Sequence, residues 1–268
     1  MYPYLLPEVF GYKIPMYDVL MFIGVFLMLI YIIRRFDKID GFKKEQTNKI
    51  IIITIISLVF SLAFSYFLDG IFHSIRAGEW TFGTISFLGA LVGGLGAFLL
   101  LMKVFYKDDN KDMKKITNTL ITGVVLAHAI GRIGCFMAGC CYGIPTNSFL
   151  GVIFPYGFAG EDFHGVSIFP TQLFEALFLF ALFFFLNNVK VAKAKELEIY
   201  LISYGFFRFF IEFIRGDNRG SFLTFFETTY GTFPSPSQFI SFMMIVLGLL
   251  MLFGVFGKLK ILNKSKNA

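Results

Sequence analysis

Seven apolar stretches, each about as long as a bilayer is thick, constrain this chain more than any other feature. They run near Tyr17–Ile33, Ile50–Leu68, Ile85–Phe105, Ile116–Met137, Thr171–Leu186, Leu197–Ile214 and Gln238–Phe256. A helix crossing the hydrocarbon core needs about 20 mainly apolar residues. Several stretches are rich in β-branched residues and Phe, a composition that in water would suggest strands. In lipid an open strand leaves its backbone polar groups unsatisfied, so the same composition predicts helices. Only 16% of the residues are charged, against about 25% in soluble proteins, too few to cover a water-soluble surface. The predicted fold is an all-α polytopic membrane protein of seven transmembrane helices. Residues 1–268 are read as one integral membrane domain.

The basic residues set an orientation. Arg34, Arg35, Lys38, Lys43, Lys44 and Lys49 follow the first stretch, and Lys103, Lys107, Lys111, Lys114 and Lys115 follow the third. Lys190, Lys193 and Lys195 follow the fifth, and Lys258, Lys260, Lys264 and Lys266 follow the seventh. The alternate segments hold only Lys13, Arg76, Arg215 and Arg219. Cytoplasmic loops carry the excess of Lys and Arg, which predicts the N-terminus outside and the C-terminus in the cytoplasm. The net charge of +6 therefore reads as a topology signal, and no nucleic-acid partner is expected. The N-terminal segment has no basic start, apolar core and small-residue cleavage site, so the first span is expected to be the anchor. The segment 138–170 contains no Lys or Arg and several Gly, Pro and aromatic residues. It is predicted to form a small extracytoplasmic cap or re-entrant element. His73 and His164 fall in outside segments with no motif around them and read as surface residues.

Charges inside apolar stretches mark the candidate site, because an ionised group in the bilayer is costly and is either partnered or functional. His128, Arg132 and Cys135 fall on one helix face, with Gly131 and Gly134 permitting close approach of another backbone or a lipid head group. Tyr204, Arg208, Glu212 and Arg215 recur at i, i+4, i+8 and i+11 and predict a second polar face. Glu212 balances one arginine there and leaves a net positive charge. With Arg132 this predicts an electropositive pocket suited to a phosphate, which arginine grips bidentately. Glu175, near the start of the fifth stretch, is read either as a helix-terminus residue or as a member of the pocket. Asp69 is expected to mark the end of the second stretch.

All three cysteines lie within seven residues, as Cys135, Cys140 and Cys141. Their spacing lacks the paired C-x2-C repeats of zinc sites, so neither a metal nor any other cofactor is expected from it. Packing is the first reading for Cys135, and a reactive thiol beside Arg132 the second. For Cys140 and Cys141 both stay open.

Several of these segments together resemble the prolipoprotein diacylglyceryl transferase family. His128–Gly143 is similar to its Gly-Arg-x-Gly-Asn-Phe signature, Met16-Tyr17 to the start of its first span, and Ser86–Gly96 to its glycine-rich third span. Pro170–Glu175, Tyr204–Arg208 and Ser235–Gln238 resemble its Pro-Ser-Gln-Leu-Tyr-Glu, Tyr-Gly-x-Phe-Arg and Ser-Met-Gly-Gln motifs. The resemblance implies transfer of diacylglyceryl from phosphatidylglycerol to the lipobox cysteine of a preprolipoprotein, in the bacterial cytoplasmic (inner) membrane, with release of glycerol phosphate. It implies that Arg132 and Arg208 hold the phosphate, that Tyr17 and Tyr204 position the lipid, and that Gln238 lies at the site. Cys135 stands at the family's first signature Asn, Ala138 at its second, Cys140 at its Glu, and Leu88 at the His of its third span. Glu175, Glu212 and His128 are the candidate replacements for those groups. Two alternatives remain: lipid transfer to another acceptor through Cys135 or Cys140, or phospholipid binding without reaction.

Overall fold

The computed structural model describes residues 3–4, 13–77, 87–106, 110–217, 226–228 and 231–254. The side chains of Asp69, His73, Arg76, Leu88 and Lys111, and all of Lys107, Arg219, Lys258, Lys260, Lys264 and Lys266, lie outside the described residues. Each apolar stretch of the sequence carries a helix: α1 Met16–Arg35, α2 Lys44–Ala77, α3 Phe87–Phe105, α4 Asn110–Ala138, α6 Thr171–Asn188, α7 Glu196–Ile211 and α8 Pro236–Leu252. Four described spans are both long and apolar enough to cross a membrane, at Met16–Asp40, Lys44–Leu68, Met113–Ala138 and Thr171–Asn188. Val92–Phe105 and Pro236–Leu252 are apolar but shorter. α2 itself continues past Asp69 to Ala77. The chain is not purely helical. Residues 138–170 hold the two-residue strands β1 Val152–Ile153 and β2 Ser167–Ile168, with the short helix α5 Phe158–Phe163 between them, and β3 Phe226–Thr228 pairs with β4 Gly231–Phe233.

The chain divides into two compact units, residues 32–113 and residues 1–31 with 114–268. In the first, α2 and α3 pack through small residues. A Cβ on Gly89 would stand 2.7 Å from the Ser65 Cα, and one on Gly94 would stand 2.9 Å from the Ser61 Cβ. Ser61 donates to the Ala90 carbonyl at 2.7 Å. Lipid tails are as apolar as the side chains, so close van der Waals approach and interhelical hydrogen bonds hold such pairs together. Thr54 and Ser57 return their hydroxyls to the carbonyls of Ile50 and Ile53, which satisfies them within α2.

In the second unit, Gly24 brings α1 against Ala127 of α4, and Gly205 and Gly248 bring α7 and α8 together. Val125, Ala129, Leu179, Leu182, Phe183 and Tyr204 form the buried cluster joining α4, α6 and α7. Polar side chains complete the joints: Tyr31 donates to Asn187 at 3.0 Å, and Asn118 accepts from the Leu197 amide at 3.2 Å. Their opposite faces carry exposed apolar residues such as Leu177 on α6 and Phe210 on α7, as lipid-facing surfaces do. The segment 138–170 has its own small core of Tyr142, Phe154, Ala159 and Ile168. Tyr142 donates to Asp162, and burial followed by that carboxylate pushes the phenol above its usual range. His164 ends α5 in a left-handed conformation, accepted by the carbonyl of Gly160.

Candidate functional site in the helix bundle

Glu175 is the centre of the site. Pro170 cannot continue a strand ladder, and α6 starts immediately after it, which puts Glu175 one turn inside the helix. The residue is 1% exposed. Its Oε1 lies 3.0 Å from Arg132 Nη2, accepts from the Tyr204 hydroxyl at 2.7 Å, and stands 3.6 Å from His128 Nε2. His128 and Arg132 are one helical turn apart on α4, so one face of that helix supplies both groups, as the spacing predicts. The His128 ring packs edge-on to Tyr204, and Tyr200 stacks on Tyr204 from the preceding turn. Glu175 thus reaches Arg132, His128 and Tyr204 across the bundle.

A second ion pair lies at the α7–α8 contact. Arg208 Nη1 is 2.9 Å from Glu212 Oε2, and Arg208 Nη2 donates to Ser237 at 3.1 Å. Glu212 also accepts from the Ser235 hydroxyl at 2.7 Å. Ser235 caps α8, and Gln238 returns its side chain to the Ser235 amide in a reciprocal capping box. Gln238 is therefore held as a helix cap.

Two expectations are corrected here. The polar face of α7 does not run on to Arg215. The α-helix ends at Ile211, a 3-10 turn covers Glu212–Ile214, and Arg215 leaves in an extended conformation to pair with Gly143. A 3-10 turn has three residues per turn, so the phase of the face is lost where the sequence pattern still counts in fours. Arg215 instead grips Asp217 with both forks, at 3.0 and 2.8 Å. The second correction concerns charge. Arg132 faces Glu175, Arg208 faces Glu212 and Arg215 faces Asp217. The pocket is thus ion-paired and carries no surplus of positive charge among the described residues. Arg132 nevertheless keeps a buried Nε with no hydrogen-bond partner in that set.

The glycines of the signature serve packing between helices. A Cβ on Gly134 would meet Tyr17 at 3.3 Å, and one on Gly131 would meet the Met21 sulfur at 2.9 Å. Of the two approaches that Gly131 and Gly134 allow, the structure shows that of α1, through Met21, Leu20 and Tyr17. That approach carries Tyr17 to the face of α4 at Gly134. None of the three cysteines is in a disulfide; Cys135 is buried, and Cys140 and Cys141 are partly so. The sequence reading left Ser235, Ser237, Thr171 and Gln172 out of the site. Thr171 donates to the Cys141 carbonyl and Gln172 to the Cys140 carbonyl, each at 2.6 Å. The only sequence trace of this clamp is a pair of polar residues at the start of an apolar helix.

Apolar helices joined around a buried Arg–Glu–Tyr cluster define a multi-pass membrane protein with a polar site inside its bundle. Residues 5–254 match the prolipoprotein diacylglyceryl transferase family, and the chain belongs to that family. It is 32% identical over 255 residues to phosphatidylglycerol–prolipoprotein diacylglyceryl transferase 2 of Clostridium perfringens, covering 92% of this chain and 93% of that protein. The phosphatidylglycerol–prolipoprotein diacylglyceryl transferase of Clostridium tetani is 32% identical over 250 residues, 90% of this chain and 93% of that protein. The Clostridioides difficile protein of the same description is 29% identical over 216 residues.

Proposed function

We propose that this protein transfers the diacylglyceryl group of phosphatidylglycerol to the lipobox cysteine of preprolipoproteins, releasing glycerol phosphate, in the bacterial cytoplasmic membrane. Family membership over nearly the whole chain supports the reaction. The observation that carries its place in the molecule is the buried Arg132–Glu175–Tyr204 cluster. Breaking the C–O bond of the lipid leaves negative charge on the phosphate. Preorganised cationic donors in a dry site stabilise developing charge far more than they would in water. Arg132 still has its Nε to give, and Glu175 holds the guanidinium in position before the lipid arrives. Arg208, steadied by Glu212 and Ser237, is the second phosphate ligand. Tyr17 and Tyr204 orient the glycerol moiety, and His128 sets the polarity around Glu175. The chain acts as a single integral membrane domain over 1–268, with seven spans, the N-terminus outside and the C-terminus in the cytoplasm, and residues 138–170 as its extracytoplasmic cap. The asymmetry of Lys and Arg between alternate segments supports that orientation.

The test is direct. Purified protein in detergent containing phosphatidylglycerol is given a lipobox peptide, and peptide mass and glycerol phosphate are followed together. The expected outcome is a diacylglyceryl mass gain on the peptide matched mole for mole by glycerol phosphate. Lipid bound at one site with neither product would replace the transferase with a lipid-binding protein.

A further inference from the structure

The acceptor thiol must become a thiolate before it attacks carbon, and the carboxylates of the bundle site are already engaged. Glu175 is held by Arg132 and Tyr204, and Glu212 by Arg208 and Ser235. One group of side chains beside Arg132 has no part in those pairs. The sulfurs of Cys135, Cys140 and Cys141 all lie within 4.8 Å of one another.

Their convergence follows from how α4 ends. Cys135 sits in its last turn, and the Cys140 amide donates back to the Cys135 carbonyl at 3.1 Å. Gly139 and Cys141 both adopt left-handed conformations, at φ 70° and 60°, and the chain turns back over the helix end. Thr171 and Gln172, each 1% exposed, clamp the carbonyls of Cys141 and Cys140 from α6. Gln172 Oε1 is itself buried with no hydrogen-bond partner among the described residues, which leaves an acceptor open on the side chain that clamps Cys140. Sequence spacing hid this arrangement, because thiols at i, i+5 and i+6 converge only when the chain reverses between them.

We propose that Cys135, Cys140 and Cys141 are three thiolate ligands for one zinc-class d10 cation whose fourth position takes the acceptor cysteine. This inference rests on the transferase reading above and supplies the step which that reading leaves without a base. Zinc–sulfur bonds of about 2.3 Å place tetrahedral sulfurs about 3.8 Å apart, so closing this cluster onto an ion needs a shift of no more than about 1 Å. Thiolate sets select soft ions, and three protein ligands with an open fourth position are the pattern of a reactive zinc site. A metal-bound thiol is deprotonated outright. Three thiolates and a divalent ion carry one negative charge. Arg132 Nη1 stands 3.9 Å from the Cys135 sulfur, and the charge of Arg215 acts on Cys141. Arg132, though paired with Glu175, therefore also presents a donor to the ligand set.

The chemistry balances without an oxidant. On coordination the acceptor thiol releases its proton to water. Its sulfur lone pair forms the new C–S bond to the glyceryl carbon, the C–O bond to phosphate breaks, and that electron pair leaves on the oxygen of glycerol phosphate. The product thioether is neutral and a weak ligand, so it vacates the fourth position. The ion is neither oxidised nor reduced.

Cobalt(II) is the probe. Full-length protein, purified anaerobically with reductant and stripped with chelator, is titrated with Co(II) and then with a lipobox peptide or its Cys→Ser analogue. The expected result is one ion per chain, with sulfur-to-cobalt charge transfer and intense tetrahedral d–d bands. Those bands shift with the cysteine peptide and stay put with the serine peptide. The Cys135→Ser, Cys140→Ser and Cys141→Ser variants, checked for folding by circular dichroism, each lose the tetrahedral spectrum. Arg208→Ala loses turnover and keeps it. No charge-transfer band, a spectrum indifferent to the cysteine peptide, or a Cys135–Cys140 disulfide in protein prepared this way overturns the inference. Full turnover by chelator-stripped protein overturns it while leaving the transferase reading intact. A peptide-responsive cobalt site in a protein that makes no product with zinc restored overturns that reading instead.

Discussion

The α2–α3 hairpin and the α4–α6–α7 bundle solve the same problem, helices meeting in lipid, by opposite means. In the hairpin the contact is made by Gly89, Gly93 and Gly94 against Ser61, Phe64 and Ser65. Its buried hydroxyls on Thr54 and Ser57 are satisfied inside their own helix. In the bundle the contact is made by charge: Arg132 on α4 meets Glu175 on α6, which meets Tyr204 on α7. Close packing needs no ionised group, and an ion pair withdrawn from water costs several kcal/mol per ion before attraction offsets it. Burying charge where small residues would suffice argues that the charge serves a substrate.

That contrast predicts a graded set of effects. The largest belongs to Glu175→Ala, which strands the Arg132 guanidinium in the bundle. Loss of about 3–5 kcal/mol of stability is expected, read as a lowered thermal midpoint in detergent, together with loss of transfer. An unchanged midpoint would mean that Arg132 finds another partner and that Glu175 is not the centre of the site. Next is Arg208→Ala, for which a fall in kcat of about 10²–10³-fold is expected, with phospholipid assays deciding between lost binding and lost chemistry. Gly89→Leu overpacks the hairpin and should cost about 1–3 kcal/mol while leaving turnover per folded molecule intact. A drop in turnover comparable to that of Arg208→Ala would erase the distinction between the two regions. The smallest effect is that of Ser235→Ala, which removes the α8 cap for about 1 kcal/mol. It also frees one oxygen of Glu212, and a modest fall in transfer is expected beside the stability loss.

The apolar stretches were readable because lipid leaves the backbone one option, and each of the seven holds a helix. The faces of α4 and of α7 up to Glu212 followed from helical spacing as well. Reading failed where the chain leaves that period. Arg215 falls off the α7 face because a 3-10 turn intervenes. The cysteine cluster depends on left-handed residues at Gly139 and Cys141 that no spacing rule counts. The pairing of Arg208 with Glu212 was legible from their spacing, but that of Arg132 and Arg215 was hidden, since Glu175 and Asp217 reach them through folding rather than helical periodicity.

The central claim is that Arg132 holds the phosphate of the lipid. Its most direct test compares wild type with Arg132→Ala and Arg132→Lys, measuring glycerol phosphate release and peptide mass on protein recovered equally from the membrane fraction. Loss of both products in the alanine variant, with partial return in the lysine variant, is the predicted result, because charge survives there while the forked geometry does not. Normal turnover by Arg132→Ala would contradict the account.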